Sequence, residues 1–309
     1  MITVVTQCDM NYTSRAIALI ESLLYGSTQV EIKIITHDDS SSESLRLYFG
    51  ERIEVIALSD LIYAYPKIET ARNNRSYAEY FFLITPFLIK YLQEFKNIKE
   101  VWYVDADIRF YGDISELQKD TKLSDITLTS HNFPAKLNHL EKFGKYNVGI
   151  MYISGSSISK EVVNWWSTKC LESTSLDISI GVYGDQKYLD DFEIEGINLT
   201  TFSGVGANAA PWNCSTVTTY GKSLICSDNS KLISYHFSGL RVGRHYSILG
   251  YFKYKWTPSA GLKDLVFRPY VNSLKEIDTS IRRNSFKFSK KIKFKEIVRI
   301  LMYRDIIKN

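Results

Sequence analysis

The sequence predicts an α/β sandwich on a mostly parallel central sheet. Short β-branched runs alternate with segments of helical periodicity up to about residue 195. One apolar run, residues 101–104, leads directly into two acids, Asp105 and Asp107. The 309 residues are 45% apolar and 23% charged, a balance that supports a sizeable buried core and argues against bulk disorder.

Taken in order, residues 2–6 read as a first strand and 13–24 as a helix. Residues 31–36 alternate at period two and read as a strand, as do 53–58. Residues 77–92 are long, apolar and helical, with Pro86 expected to kink the helix or mark its first turn. Residues 101–104 and 126–130 are strands, and 148–153 has the apolar run of a central one. Residues 159–171 are helical, with Trp165 and Trp166 on the apolar side. Beyond residue 195 glycines punctuate a loop-rich region with short strands such as 232–236. Residues 281–293 read as a linker, and 294–307 as a helix with Phe294, Ile297, Val298, Leu301 and Met302 on one side.

No run approaches the ~18 apolar residues of a membrane span, and no secretory signal is expected at Met1-Ile2-Thr3-Val4-Val5. Cys8, Cys170, Cys214 and Cys226 are scattered without a CxxC pair, so they read as reduced thiols of a cytoplasmic protein. The net charge of +4 divides unevenly. Residues 281–309 hold ten Lys/Arg and two acids, while the first 280 hold 28 basic and 32 acidic side chains. A basic tail on a mildly acidic body argues against nucleic acid as a partner. It divides the chain into a folded domain at 1–280, catalytic if the motifs below hold, and a basic amphipathic tail at 281–309. That tail suits an anionic membrane surface, which would make the protein peripheral on the inner face of the plasma membrane; a helix docked on the domain with solvated charges is the other reading.

The sharpest chemical feature is the pair Asp105 and Asp107. In extended geometry both side chains point the same way, at the carboxyl end of a strand, where open α/β sheets place their ligand crevice. Two such acids without a basic neighbour repel each other unless a divalent cation joins them, and Mg²⁺ and Mn²⁺ favour oxygen ligands bridged to phosphates. On that basis Asp107→Asn is expected to relieve repulsion and raise the melting temperature of the metal-free protein. The bare D-x-D occurs by chance about once in a chain of this length; a solvated turn or a helix N-cap would also accommodate it.

Six segments in order then resemble glycosyltransferases of the GT-A fold, near the family-8 type and bacterial surface-polysaccharide transferases: TQCDMNY (6–12), VDADI (104–108), YNVGIMYIS (146–154), GDQKYLDDF (184–192), GANAAPWN (206–213) and SYHFSG (234–239). The resemblance covers about residues 1–240. It implies transfer of a sugar from a nucleoside diphosphate, UDP being the expected nucleotide, to a hydroxyl of a glycan or lipid-linked glycan, with Mn²⁺ or Mg²⁺ as cofactor. It implies that Thr6, Asp9, Asn11, Tyr12 and Ala106 line the nucleotide site, with Tyr12 stacking on the base. Asp105, Asp107 and His236 become metal ligands, Asp105 also reaching the donor. Asn147 and Gly149 line the sugar, and Asp185 and Gln186 face it or its anomeric carbon. The family's common Lys after His-Phe-x-Gly is absent, so Arg241 or Arg244 is expected at the diphosphate. Arg75 is expected in place of the family's Arg before the metal strand. On the residues alone, Tyr12 also fits a half-buried helix start, His236 and Trp212 core positions, and Asp185 a helix N-cap.

The resemblance to the family-8 type implies retention; Gln186 is a poor nucleophile, so front-face attack assisted by the departing phosphate is then the expected course. Inversion would need a carboxylate base, Asp185, Asp190 or Asp191. A sugar-nucleotide-forming nucleotidyltransferase is the competing enzyme class, although TQCDMNYTSR lacks the glycine-rich loop it needs. A non-catalytic carbohydrate-binding module is the competing non-enzyme.

Overall fold

The computed structural model describes residues 1–27, 29–281 and 294–308. The N-terminal half runs β1 (Ile2–Cys8), α1 (Thr13–Gly26), β2 (Val30–Thr36), α2 (Asp39–Phe49), β3 (Glu54–Ala57), α3 (Leu58–Ala64), α4 (Lys67–Arg72) and α5 (Tyr77–Phe95). Next come β4 (Val101–Val104), β5 (Ile108–Phe110), β6 (Ile126–Ser130), β7 (Tyr146–Ile153), α6 (Ser157–Glu172) and β8 (Leu199–Thr201). A seven-stranded sheet has the order β3-β2-β1-β4-β7-β6-β8. Strands β1 to β4 are mutually parallel where they pair, β7 is antiparallel to both neighbours, and β6 pairs parallel with β8. The sheet is therefore mixed and mostly parallel, as expected.

Period-two alternation builds the two cores. Val4, Trp102 and Ile150 face one cluster with Ile17, Leu19, Tyr235 and Phe237; Val5, Tyr103 and Met151 face the other with Leu83, Leu88 and Trp166. A strand buried on both faces reads as an unbroken apolar run, which is why β1, β4 and β7 were visible in the sequence. Helix α5 is fixed at its start by a capping box, Ser76 to the Glu79 amide and Glu79 to the Ser76 amide. Pro86 lies mid-helix and buried, not in the first turn.

The second half supplies β9 (Val217–Tyr220), β10 (Ser223–Cys226), β11 (Ser234–His236), β12 (Arg241–Val242) and β13 (Tyr246–Ile248). Helix α7 (Ala260–Leu262) runs through a π turn into α8 (Arg268–Ser280), whose Tyr270 stacks on Phe237 at 3.7 Å. The expected linker lies, apart from Ile281, outside the described residues. Helix α9 (Phe294–Met302) is shorter than expected. Arg304 takes a left-handed φ of 47°, and β14 (Ile306–Lys308) then pairs with β13. The buried Asp305 carboxylate accepts from the Gly250 and Tyr251 amides at 3.1 and 2.8 Å. Ile300 packs on Ile248 and Phe252. Ile297, Val298, Leu301 and Met302 remain 41%, 46%, 65% and 60% exposed. Among the described residues no helix is long and apolar enough to cross a membrane.

Candidate donor and metal site

Strand β4 ends at Val104, and the chain turns before β5, the Ile108 amide bonding to the Asp105 carbonyl at 3.1 Å. The two acids therefore converge through a turn and not through an extended pleat, a correction to the expected geometry. The turn is held from both sides: the Asp105 amide donates to the Gly149 carbonyl at 2.8 Å, and the Phe237 amide to the Asp107 carbonyl at 2.9 Å. Antiparallel pairing of β5 with β11 sets His236 opposite Ile108. His236 Nε2 comes within 3.2 Å of Asp107 Oδ1 and 3.8 Å of Asp105 Oδ2. Asp105, Asp107 and His236 can each point one ligand atom within 4.8 Å of the others.

The chemistry of this donor set fits a divalent cation: two carboxylates, one imidazole, and no lysine or arginine among the described residues lining the cavity above them. Burial pushes the Asp105 carboxyl up; His236 works against that and Asp107 adds to it. Burial also acts against charged Asp107, but the His236 ring outweighs it and holds Asp107 below the usual carboxylate range. His236 is correspondingly raised, Asp107 and then Asp105 outweighing its burial. The buried His236 Nδ1 has no hydrogen-bond partner among the described residues. Trp212, itself buried, packs edge-on to His236 at 5.4 Å and to His131 at 5.3 Å. GANAAPWN thus forms the wall behind the imidazole, and Trp212 presents no open face to a ligand.

The cavity measures about 410 Å³ and is lined by Asp9, Tyr12, Asp105, Ala106, Asp107, Asn147, Asp185, Gln186 and His236. Asp9 accepts from the Asn11 and Tyr12 amides, both at 2.9 Å, and from Tyr77 Oη at 2.7 Å. It also accepts from Asn11 Nδ2 at 2.7 Å, so Asn11 braces Asp9 rather than lining the cavity. The Tyr12 ring is 42% exposed, with the Arg15 guanidinium 4.9 Å from its centroid. The Asp107 charge, with burial, pushes the Tyr12 phenol up to about 12. Asn147 donates to Gln186 Oε1 at 2.9 Å and accepts from the Gly149 amide at 2.9 Å and Asn208 Nδ2 at 3.2 Å. Gly149 lies behind this group; a Cβ there would collide with Asn147 Oδ1 and stand 2.9 Å from His236 Nδ1. Asp185 occupies the N-cap position of the turn Gln186–Asp191, but its side chain makes no capping bond. It is hydrogen-bonded to Thr85, and burial pushes its carboxyl up to about 7.

Four expected residues stand elsewhere. Thr6 is buried in β1, its hydroxyl without a partner among the described residues. Arg75 does not reach the cavity: its guanidinium is taken by the Ala71, Cys170 and Leu171 carbonyls and the Thr174 hydroxyl, at 2.6 to 3.1 Å. Arg241 and Arg244 do not line it either. Lys253, not named in the sequence reading, approaches the chain beside the cavity. Its Nζ lies 3.2 Å from where a Cβ on Gly239 would stand, next to the cavity residue Ser238. The Lys253 side chain is largely open to solvent, yet the packing around it and the Arg241 charge lower its pKa. Gln7, Tyr77, Phe81, Phe82, Thr85 and Tyr103 also line the cavity unforeseen; Gln7 falls just past the strand read at 2–6, and the others lie in runs that read as buried strand and helix, where only the alternation of faces distinguishes them.

No protein-family model matches the chain. The Bacillus subtilis (strain 168) uncharacterized protein YfnD is 24% identical over 264 residues, 83% of this chain and 83% of that protein. YfnF of the same organism, also uncharacterized, is 27% identical over 239 residues, 74% of this chain and 78% of its own. Among solved structures, the galactosyltransferase LgtC in complex with donor and acceptor sugar analogs matches with a TM-score of 0.55 at 14% identity, over 96% of this chain and 100% of that one. Mouse xyloside xylosyltransferase 1 in its apo form matches with a TM-score of 0.52 at 12% identity, over 77% of this chain and 98% of its own. The chain has the GT-A fold of these glycosyltransferases.

Proposed function

We propose that the protein is a metal-dependent glycosyltransferase that moves a sugar from a UDP-linked donor to an acceptor hydroxyl in bacterial surface-glycan synthesis, with retention of configuration. The observation that carries this reading is the convergence of Asp105, Asp107 and His236 at the rim of a cavity that, among the described residues, no lysine or arginine lines. These three residues would hold Mn²⁺ or Mg²⁺, which when bound supplies Lewis-acid stabilisation of the departing diphosphate. Tyr12 stacks on the base. Lys253, in the place assigned from the sequence to Arg241 or Arg244, pairs with the diphosphate. Asn147 orients Gln186 through its 2.9 Å bond, and Gln186 faces the anomeric carbon. Gln186 also donates to the Phe143 carbonyl at 2.9 Å, which fixes the amide and supports front-face attack over covalent capture.

Incubation with UDP-sugars, with Mn²⁺ and with a chelator, tests the reading. Release of UDP that requires the cation is the expected result. Chelator-insensitive release sinks the metal assignment, and pyrophosphate exchange without UDP release would assign nucleotidyl transfer instead.

The acceptor in this reading is a glycan or lipid-linked glycan at the cytoplasmic membrane face, with residues 281–309 as the anchor. Its support is the apolar surface of α9, where Ile297, Val298, Leu301 and Met302 are uncovered beside exposed Lys295, Arg299, Arg304 and Lys308. Basic residues near an anionic surface contribute about 1 kcal/mol each, and buried apolar side chains add to that. The double variant Ile297→Asp/Leu301→Asp is expected to sediment with phosphatidylserine vesicles about tenfold less than the wild type while keeping cation-dependent UDP release. Equal sedimentation removes the anchor.

A further inference from the structure

The last described residues of the chain reach back to the donor site. Strand β14 pairs with β13, Ile300 of α9 packs on Ile248 and Phe252, and Lys263 Nζ donates to the Arg304 and Ile306 carbonyls. These contacts set Asp305, fully buried, against the turn that follows β13. Its two carboxylate oxygens accept separately, Oδ2 from the Gly250 amide at 3.1 Å and Oδ1 from the Tyr251 amide at 2.8 Å. The Phe252 amide also favours its charged form. Three successive amides turned to one carboxylate make an anion nest, here filled from within the chain.

That turn belongs to the wall of the site. Gly250, at a φ of 97°, lies so close to the Ser238–Gly239 backbone that a Cβ on it would stand 2.9 Å from the Ser238 carbonyl oxygen. Ser238 lines the cavity beside His236. The turn closes with the Lys253 amide on the Gly250 carbonyl at 3.4 Å, and Lys253 Nζ comes back over Gly239, 3.2 Å from where a Cβ there would stand. The Tyr251 hydroxyl holds the turn a second time, donating to the Cys214 carbonyl and meeting the Tyr235 hydroxyl. Residues 281–309 carry ten basic side chains and two acids, Glu296 and Asp305. Both acids act on the Lys253 ammonium and favour its charge, against burial and Arg241.

We infer that Asp305 is a positioning residue of the donor site: by pinning the Gly250–Lys253 turn it sets Lys253 at the donor's diphosphate, so the C-terminal segment is part of the binding site as well as its anchor. The inference rests on the proposed donor site and deepens it by naming what places Lys253.

Asp305→Asn keeps the shape of the side chain but leaves one acceptor oxygen where the carboxylate has two, so one amide of the turn loses its partner. With Mn²⁺ present, the variant is expected to bind UDP about tenfold more weakly than the wild type by calorimetry. It should bind uridine as the wild type does, because uridine has no diphosphate for Lys253 to meet. Lys253→Ala is expected to weaken UDP binding at least as much, and adding Asp305→Asn to it should cost nothing more. Should Asp305→Asn not fold, Lys263→Ala, which frees the Arg304 and Ile306 carbonyls on either side of Asp305, is read in the same way. Wild-type affinity for UDP in either the Asp305 or the Lys253 variant overturns the inference. Equal losses for UDP and uridine overturn it as well, since a generally loosened fold moves both, and so does a loss that persists in the Lys253→Ala background. The expected pattern without UDP release from UDP-sugars upholds the inference while sinking the transferase reading, so the two fail separately.

Discussion

Asp107→Asn is expected to reduce cation-dependent UDP release by about 100-fold or more and, at the same time, to lower the melting temperature of the metal-free protein. The second half reverses the expectation drawn from two adjacent acids alone. In the folded chain the His236 ring lies 3.2 Å from Asp107, and that ring is the leading influence set against its burial. The pair holds Asp107 below and His236 above their ordinary ranges. Its contribution is therefore present above the ordinary carboxylate range and is lost as pH falls through the depressed Asp107 value. At the other side it is fully present below the ordinary histidine value and is lost as pH rises through the raised His236 value. Removing the Asp107 charge leaves His236 buried beside a neutral amide. Asp105→Asn is the contrasting case. Burial raises the Asp105 carboxyl, so its ionised form already costs folding free energy, and its loss should raise the melting temperature of the metal-free protein while also abolishing cation-dependent release. Paired thermal melts in chelator, for the wild type and the two variants, check this. Both variants moving in the same direction would refute the assignment of the imidazole to Asp107.

Asp185→Asn is expected to remove a pH dependence of stability worth roughly 4 kcal/mol at most. The carboxyl is 3% exposed and raised from 3.8 to about 7, burial being the leading cause. The folded state thus binds this proton more tightly than the unfolded state does. The associated stability is fully present below about pH 4, declines as pH rises towards 7, and is absent above it. Urea titrations of the metal-free protein at pH 5, 7 and 8.5 should show the wild type weakening relative to the variant across that interval, with the difference levelling off above pH 7. A constant difference at all three values would mean that Asp185 is ionised throughout, and would remove it as a proton-holding group in the pocket.

The strands were legible because a strand buried on both faces announces itself as an apolar run. That placed β1, β4 and β7, and with them the Asp105/Asp107 turn, where the main sheet ends. Helices α2, α3, α4 and α8 carried weaker patterns and were not anticipated. Among site residues, Asp9, Tyr12, Asn147, Asp185 and Gln186 came from ordered motifs and do line the cavity or brace it. Arg75 failed for a definite reason: four of the five guanidinium donors are taken by nearby oxygens, the Ala71, Cys170 and Leu171 carbonyls and the Thr174 hydroxyl, which hold the side chain away from the cavity. Lys253 escaped notice because its approach to Gly239 depends on the turn at Gly250, which has a φ of 97° and no signature beyond a glycine.

The amino-acid order by itself determined the α/β architecture, the acids at the end of β4 and the basic C-terminal segment, since hydrophobic periodicity and charge are local properties of the chain. Tertiary structure alone decided that His236 meets Asp107, that burial raises the Asp185 carboxyl and that Lys253 stands beside Gly239. Each of these depends on groups far apart in the chain being brought into contact and shielded from water, and the energy of a charge is set by that surrounding rather than by its neighbours in sequence.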